Sequence, residues 1–270
     1  MGRILSVLLL PLASMALWPE ARADEPVDIE LVLAVDVSRS VDAREARLQR
    51  QGYINAFRDP EVIRAIHSGV VGRIAVTYLE WAGTSPVSVV AGWTMIKDAD
   101  SALAFADMLG RAPPRSALYT SISNAIDFAL PMFDGNGFEG LRRVIDVSGD
   151  GPNNWGDLVT TARDRAVAAG ITINGLPILD NGTGRFSLYN IPNLDLYYRD
   201  CVIRGPGAFL VVAADFDDFA RAVRRKLILE IAAPEPNRTP GIVRVQASPD
   251  EKVGPPCDIG ERLLRGRNDF

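Results

Sequence analysis

Short runs of aliphatic and β-branched residues alternate along this chain with longer segments of helical periodicity. The first run, Asp28 to Val35, reads DIELVLAV and is typical of a strand that is buried on both faces. A polar, helix-forming stretch follows from Asp42 to Arg58. The same succession recurs until a last strand at Ala208 to Ala213 and a last helix at Asp215 to Ile231. This alternation predicts an α/β fold with a doubly wound, mainly parallel central sheet flanked by helices.

The elements between the first and last strands follow the same patterns. Further strands are predicted at Gly72 to Trp81, Ser85 to Trp93, Arg143 to Ser148 and Ile171 to Leu179. Further helices are predicted after Asp59-Pro60, after Asp98, from Ile122 to Phe133 and from Asp157 to Ala169. Only a turn marked by Gly83 and Pro86 separates the second and third strands. We therefore expect these two strands to form an antiparallel hairpin at one edge of the sheet.

The N-terminus has the composition of an export signal. Arg3 precedes an apolar run of 14 residues from Leu5 to Trp18, and Ala21-Arg22-Ala23 gives the small-x-small pattern of a signal peptidase site. The run is shorter than the about 20 residues that span a bilayer as a helix, so an uncleaved anchor is the less favoured alternative. We predict a signal peptide over residues 1–23, no membrane span after its cleavage, and a periplasmic or secreted mature chain.

One domain accounts for residues 27–232, and the composition changes after it. Six prolines fall between Pro234 and Pro256, which indicates an extended or wrapping tail over residues 233–270, with room for one edge strand at Ile242 to Ala247. Cys201 and Cys257 are the two cysteines of the chain. In an exported protein an even number of cysteines fits a disulfide, here one that ties the tail to the domain, although two separate buried thiols fit the same count.

Composition excludes several classes of function. A net charge of -5 argues against a nucleic-acid partner, which requires a strongly basic face. His67 is the single histidine, and a Ser-His-Asp triad, a histidine-rich zinc site or a His-paired cysteine would all have to use it. We interpret His67 as a helix-end residue without a catalytic role and expect a protein that is not an enzyme.

The first strand ends in Asp36-Val37-Ser38-Arg39-Ser40 rather than in a glycine-rich phosphate loop. A carboxylate at this position repels a pyrophosphate, so we expect no nicotinamide or flavin cofactor. The oxygens of Asp36, Ser38 and Ser40 suit a small hard cation instead, although Asp and Ser in such turns also serve as helix caps.

Two further loops carry oxygen ligands at the predicted ends of elements. Thr120 directly precedes the helix that begins near Ile122, and Asp150 lies between Gly149 and Gly151 after the strand that ends at Ser148. In open α/β sheets, ligands bind in the crevice at the carboxyl ends of the strands. These loops are therefore expected to act together with the first one.

In this combination the sequence resembles the von Willebrand factor A domain superfamily. Its metal-ion-dependent adhesion site takes a D-x-S-x-S turn, a threonine before a middle helix and an aspartate in a D-G turn, which here are Asp36, Ser38, Ser40, Thr120 and Asp150. Ala125 also fits the pattern, and the resemblance covers about Val27 to Ile231. Leu118-Tyr119 departs from it, since many A domains have two glycines there.

The export signal, the segment from Ser148 to Asn154 and the segment from Tyr197 to Cys201 are similar to a bacterial family of exported A-domain-like proteins of unknown function. The resemblance implies a divalent metal, with Mg²⁺ expected from the all-oxygen ligands and Mn²⁺ or Ca²⁺ as alternatives. It also implies a protein partner whose Asp or Glu side chain completes the coordination. A metal-assisted hydrolase at the same site and a degenerate, metal-free structural domain are the alternatives, and the oligomeric state is left open.

Several neighbouring residues have two interpretations. Asp146 either orients a metal-bound water or pairs with a nearby arginine. Trp155 either contacts a partner or, as the favoured alternative, packs beneath the helix that starts near Asp157. Asn153 and Asn154 are interpreted as caps of that helix. A basic cluster on the last helix is interpreted as a solvated face; its members are Arg221, Arg224, Arg225 and Lys226.

Overall fold

A computed structural model describes residues 23–38, 40–83, 86–113, 115–179, 191–232, 241–243 and 253–268. Residues 1–22 of the predicted signal peptide lie outside the described residues, as do residues 244–247 of the predicted tail strand. Within the described part of the chain, none of the helices combines the length and apolar character needed to cross a bilayer.

Seven strands form the central sheet and two more form a small parallel pair. The strands are β1 (Glu25–Val27), β2 (Glu30–Asp36), β3 (Ile74–Trp81), β4 (Ser88–Ile96), β5 (Phe138–Gly140), β6 (Arg143–Gly149), β7 (Thr172–Pro177), β8 (Phe209–Val211) and β9 (Gly241–Val243). The order across the central sheet is β4-β3-β2-β6-β7-β8-β9, and β1 pairs with β5. All neighbours in the central sheet are parallel except β3 and β4. The predicted parallel sheet and its antiparallel edge are both confirmed.

Helices connect the strands and cover both faces of the sheet. They are α1 (Ala43–Phe57), α2 (Pro60–His67), α3 (Ala99–Arg111), α4 (Ile122–Ala129), α5 (Val159–Ala168), α6 (Leu194–Tyr197), α7 (Phe219–Ala232) and α8 (Ile259–Asn268), with a 3-10 turn at Leu130–Phe133 and a π-helical turn at Tyr198–Val202. Asp42 caps α1 in a reciprocal capping box with Glu45, and Asp59 caps α2 ahead of Pro60. These starts follow from short-range sequence signals.

Alternate residues of β2 contribute to the two cores. Leu31 and Leu33 belong to one core together with Phe57 of α1, while Val32 and Ala34 belong to a second core beneath α4 and α5. Strand side chains point alternately to opposite faces, so the unbroken apolar run from Leu31 to Val35 needs a helical layer on each side of the sheet. The layers fix the carboxyl ends of β2 and β6 at one edge of the sheet.

The tail contains more structure than its proline content indicates. Strand β9 pairs in parallel with β8, and α8, which the sequence analysis did not predict, lies near the C-terminus. A disulfide joins Cys201 to Cys257, so the end of the chain is covalently attached to the π-helical turn of the domain.

The interpretation of the α7 basic cluster as a solvated face is wrong for Lys226. Its ammonium is buried between two carboxylates, 2.9 Å from Asp146 Oδ1 and 2.7 Å from Glu230 Oε2. It also lies 4.7 Å from the centroid of the Phe209 ring. Asp146 therefore pairs with a lysine of α7, so its predicted pairing with a nearby arginine is wrong.

Candidate metal centre

The site begins where β2 and β6 end side by side. The two strands are parallel, with Val35 opposite Ser148. This register places Asp36, the last residue of β2, beside Gly149, the last residue of β6. Asp150 follows immediately, so two aspartates from distant parts of the chain reach the same edge of the sheet.

The D-x-S-x-S turn folds its oxygens toward one another. The backbone N–H of Ser38 donates to Asp36 Oδ1 at 2.7 Å, which closes the turn directly after the strand. The hydroxyl oxygens of Ser38 and Ser40 are 2.9 Å apart. The turn therefore presents one carboxylate and two hydroxyls on the same side.

Side-chain contacts join this turn to the other two loops. Ser40 Oγ donates to Asp150 Oδ1 at 2.8 Å, and Thr120 Oγ1 donates to Ser38 Oγ at 3.4 Å. The structure thus brings together all five residues predicted as metal ligands. Four of the five are buried, and Ser40 is the most exposed.

Burial makes the site electrostatically unfavourable for two ionised carboxylates. The pKa of Asp36 is raised well above its ordinary value, first by burial and then by repulsion from Asp150, while the hydrogen bonds from Ser38 act in the opposite direction. A bound cation would offset both the desolvation and the repulsion. The charge distribution is therefore suited to a divalent ion.

Glycine at position 149 keeps the space beside Asp36 open. A Cβ there would lie 2.9 Å from Asp36 Oδ2 and 3.0 Å from Tyr198 Oη. Among the described residues neither of these buried oxygens has a hydrogen-bond partner. A buried carboxylate oxygen without a donor is costly, and such an oxygen is available to a cation.

Asn153 and Asn154 hold the threonine loop against the aspartate loop. Thr120 N–H donates to Asn154 Oδ1 at 2.9 Å, and Asn154 N–H donates back to the Thr120 carbonyl at 2.9 Å. Asn153 Oδ1 accepts from Ser123 N–H at 3.0 Å in the first turn of α4. Neither asparagine side chain caps α5, so their predicted role as caps of that helix is wrong.

Many A domains have two glycines where this chain has Leu118 and Tyr119, and Thr120 nevertheless lies at the site. Tyr119 adopts φ 62, a left-handed conformation in which glycine is favoured. Its ring stacks on Trp155 with centroids 4.8 Å apart, and Gly83 N–H donates to the Tyr119 carbonyl at 2.7 Å. Trp155 is 42% exposed, so the favoured packing of this residue beneath the helix is wrong. Stacking and backbone bonds hold the strained residue in place.

The donor set consists of two carboxylates and three hydroxyls. Across the described ranges, no cluster of three or more His, Cys, Asp or Glu residues suits a metal ion. His67 lies at the end of α2 and its Nε2 is 2.8 Å from the Lys97 carbonyl oxygen. The ligands that remain are hard oxygens, which Mg²⁺ and Ca²⁺ prefer over soft or nitrogen ligands.

Residues 26–235 match a protein family described as "Protein of unknown function (DUF1194)". A search of curated proteins gives no match.

Several solved structures share the fold. One is the von Willebrand factor type A protein from Catenulispora acidiphila, which is 15% identical over 75% of this chain and 42% of that chain, with a TM-score of 0.51. Another is the pilus adhesin SpaC from Lactobacillus rhamnosus GG, which is 13% identical over 77% of this chain and 32% of that chain, with a TM-score of 0.53. A third is proximal thread matrix protein 1 from the mussel byssus, whose MIDAS motif is occupied by zinc. It is 13% identical over 76% of this chain and 48% of that chain, with a TM-score of 0.52. The chain spans at most about half the length of these proteins, and at these identities the likeness concerns the fold alone.

Proposed function

The chain belongs to the DUF1194 family of proteins of unknown function and has the von Willebrand factor A fold, and from this premise we propose that it is an exported, metal-dependent protein-binding module. The proposal includes a divalent ion at the site and a partner that supplies a carboxylate. It does not include a chemical reaction.

The convergence of the three loops carries the proposal. Ser40 in the first loop donates to Asp150 in the third, and Thr120 in the second donates to Ser38 in the first. The two contacts join residues that are 110 and 82 positions apart in the chain, and each contact is between side-chain oxygens. Caps of separate helices would have no reason to meet in this way.

Asp36, Ser38, Ser40, Thr120 and Asp150 would hold the ion, directly or through water. When bound, a divalent ion supplies positive charge that attracts a further oxygen ligand. Mg²⁺ is the first choice because an all-oxygen set with few carboxylates suits an octahedral ion that retains water. The mussel byssus protein shows a MIDAS motif that accepts zinc, so Zn²⁺ belongs in the test with Mg²⁺, Mn²⁺ and Ca²⁺.

A partner carboxylate would approach from the side of Ser40, the most exposed of the five residues. The stacked rings of Tyr119 and Trp155 belong to two loops of the same site, the loop before α4 and the loop after β6, and the indole is partly exposed. Aromatic side chains are common anchors in protein interfaces. We therefore include this pair in the binding surface.

Metal binding is tested by calorimetric titration and thermal melts of the purified mature chain. An ion at a hundred times its dissociation constant stabilises the folded protein by about 2.7 kcal/mol. Asp36→Ala and Asp150→Ala are expected to abolish heat of binding and melting shift, because each removes an anionic ligand. Asp107→Ala is the matched control, since the side chain of this aspartate is partly exposed and pairs with Arg58, the residue that follows α1.

The hydroxyl variants Ser38→Ala, Ser40→Ala and Thr120→Ala are expected to weaken the ion less, because water can replace a neutral oxygen. If wild type and Asp36→Ala show the same melting shift with each of the four ions, the metal site is refuted. The metal-free structural domain is then the better description.

Partner capture is tested with the immobilised mature chain and a periplasmic extract. Bound protein should elute with EDTA, and Asp150→Ala should retain none of it. Converting the carboxyl groups of the extract to amides should abolish capture. Equal capture from the amidated extract would contradict the proposal that the partner supplies a carboxylate.

Export is tested separately by N-terminal sequencing of the exported chain, which should begin at Asp24.

A further inference from the structure

Tyr198 lies beneath the metal site but outside the D-x-S-x-S, threonine and aspartate loops. It begins the π-helical turn that follows α6 and is completely buried. A Cβ at Gly175 of β7 would lie 2.8 Å from Tyr198 Cδ1. The ring therefore occupies space that a glycine leaves free on the sheet, and its hydroxyl extends toward the end of β6.

The hydroxyl and a carboxylate oxygen of the site border the same point in space. The point where a Cβ of Gly149 would stand is 3.0 Å from Tyr198 Oη and 2.9 Å from Asp36 Oδ2. Within the described residues both oxygens are buried without a hydrogen-bond partner. Two such atoms bordering one position are unusual, because buried polar groups are nearly always paired.

An apolar residue would be more stable at position 198 if packing alone mattered. Phenylalanine fills the same space and leaves no buried donor without an acceptor. The neighbouring Tyr197 shows the ordinary case, since its Oη accepts from Asn153 N–H at 3.1 Å and lies 3.5 Å from the Cys257 carbonyl oxygen. The hydroxyl of Tyr198 has no such partner among the described residues, so a role other than packing is needed to explain it.

We propose that Tyr198 is a positioning residue of the metal site, whose hydroxyl donates a hydrogen bond to the Asp36 carboxylate when that carboxylate holds a divalent ion. The inference rests on the proposed function. A donor behind a metal-binding carboxylate fixes its orientation, and loss of such a donor typically weakens metal affinity by about 10-fold to 100-fold. Gly149 is required for this arrangement, because any side chain there would separate the two groups.

The test compares Tyr198→Phe with wild type in the mature full chain. The dissociation constant for Mg²⁺ is measured by calorimetry, and the melting temperature is measured in EDTA. Tyr198→Phe should bind Mg²⁺ about 10-fold more weakly or worse. Its melting temperature in EDTA should equal or exceed that of wild type, because the change removes a buried hydroxyl that has no partner.

Tyr78→Phe is the matched control, a change of a buried tyrosine on β3 in the other core. It should leave the dissociation constant for Mg²⁺ unchanged. Wild-type Mg²⁺ affinity in Tyr198→Phe overturns the inference while the proposed function stands. A Tyr198→Phe protein that unfolds in EDTA shows a structural role and also overturns it. If wild type binds no divalent ion, the proposed function itself fails, and this inference fails with it.

Discussion

The buried carboxylate of Asp146 should make the stability of this protein depend on pH. Asp146 lies in the middle of β6 and pairs with Lys226, which also pairs with Glu230. Asn174 Nδ2 donates to Glu230 Oε1 at 2.5 Å. The group therefore holds two carboxylates and one ammonium away from water, where an ionised carboxylate is costly.

The sign of the effect follows from the direction of the pKa shift. Burial raises the pKa of Asp146 from 3.8 to about 6; Lys226 opposes the shift and Glu230 adds to it. The folded protein thus holds a proton at a pH where the unfolded chain has released it. The stabilising contribution is fully present below the unfolded pKa and is lost as the pH rises through about 6. Linkage gives a loss of about 2 kcal/mol between about pH 4.5 and about pH 7.5.

The assay is urea unfolding of wild type and Asp146→Asn across this pH range, in EDTA so that metal binding makes no contribution. Asparagine keeps the shape of aspartate but does not titrate, and Asp36 is present in both proteins. The stability of wild type relative to Asp146→Asn should fall by about 2 kcal/mol as the pH rises through this range. A difference that stays constant across the range would refute the reasoning, because Asp146 would then titrate alike in the folded and unfolded chains.

Four further changes test other parts of the structure. Ser121→Ala removes the side-chain cap of α4 and should lower the unfolding free energy by about 1 kcal/mol in urea titrations. Gly149→Ala places a methyl group against Asp36 Oδ2 and should abolish the melting shift caused by Mg²⁺, whereas an unchanged shift would contradict the site geometry. Replacing Cys201 and Cys257 by serine opens a loop with a sequence separation of 56 and should cost about 4 kcal/mol; two free thiols in the non-reduced exported protein, found by mass spectrometry, would contradict the disulfide. Phe57→Ala removes a ring whose centroid lies 4.8 Å from that of Phe105 and leaves a cavity in the core. This change should lower the unfolding free energy by about 3 to 5 kcal/mol in the same urea titrations.

Much of the fold is encoded in short-range patterns. The run from Asp28 to Val35 is apolar at almost every position, which requires cover on both faces and so predicts a central strand with helices on each side. Asp59-Pro60 and Asp42 mark helix starts because capping depends on residues within one turn. Parallel strands bring their carboxyl ends to one edge, so the loops with Asp36 and Asp150 could be placed together before any coordinates were known.

Tertiary structure decided which side chains meet across those elements. Periodicity indicates which face of a helix is buried but not what lies opposite, so the basic stretch of α7 gave no sign that Lys226 would be enclosed with Asp146. The left-handed conformation of Tyr119 depends on its stacking with Trp155, a contact between distant loops. The place of the Tyr198 hydroxyl beside Asp36 requires the packing of a π-helical turn on Gly175. In each case the determining energy arises between segments far apart in sequence, and a local pattern contains no information about such a contact.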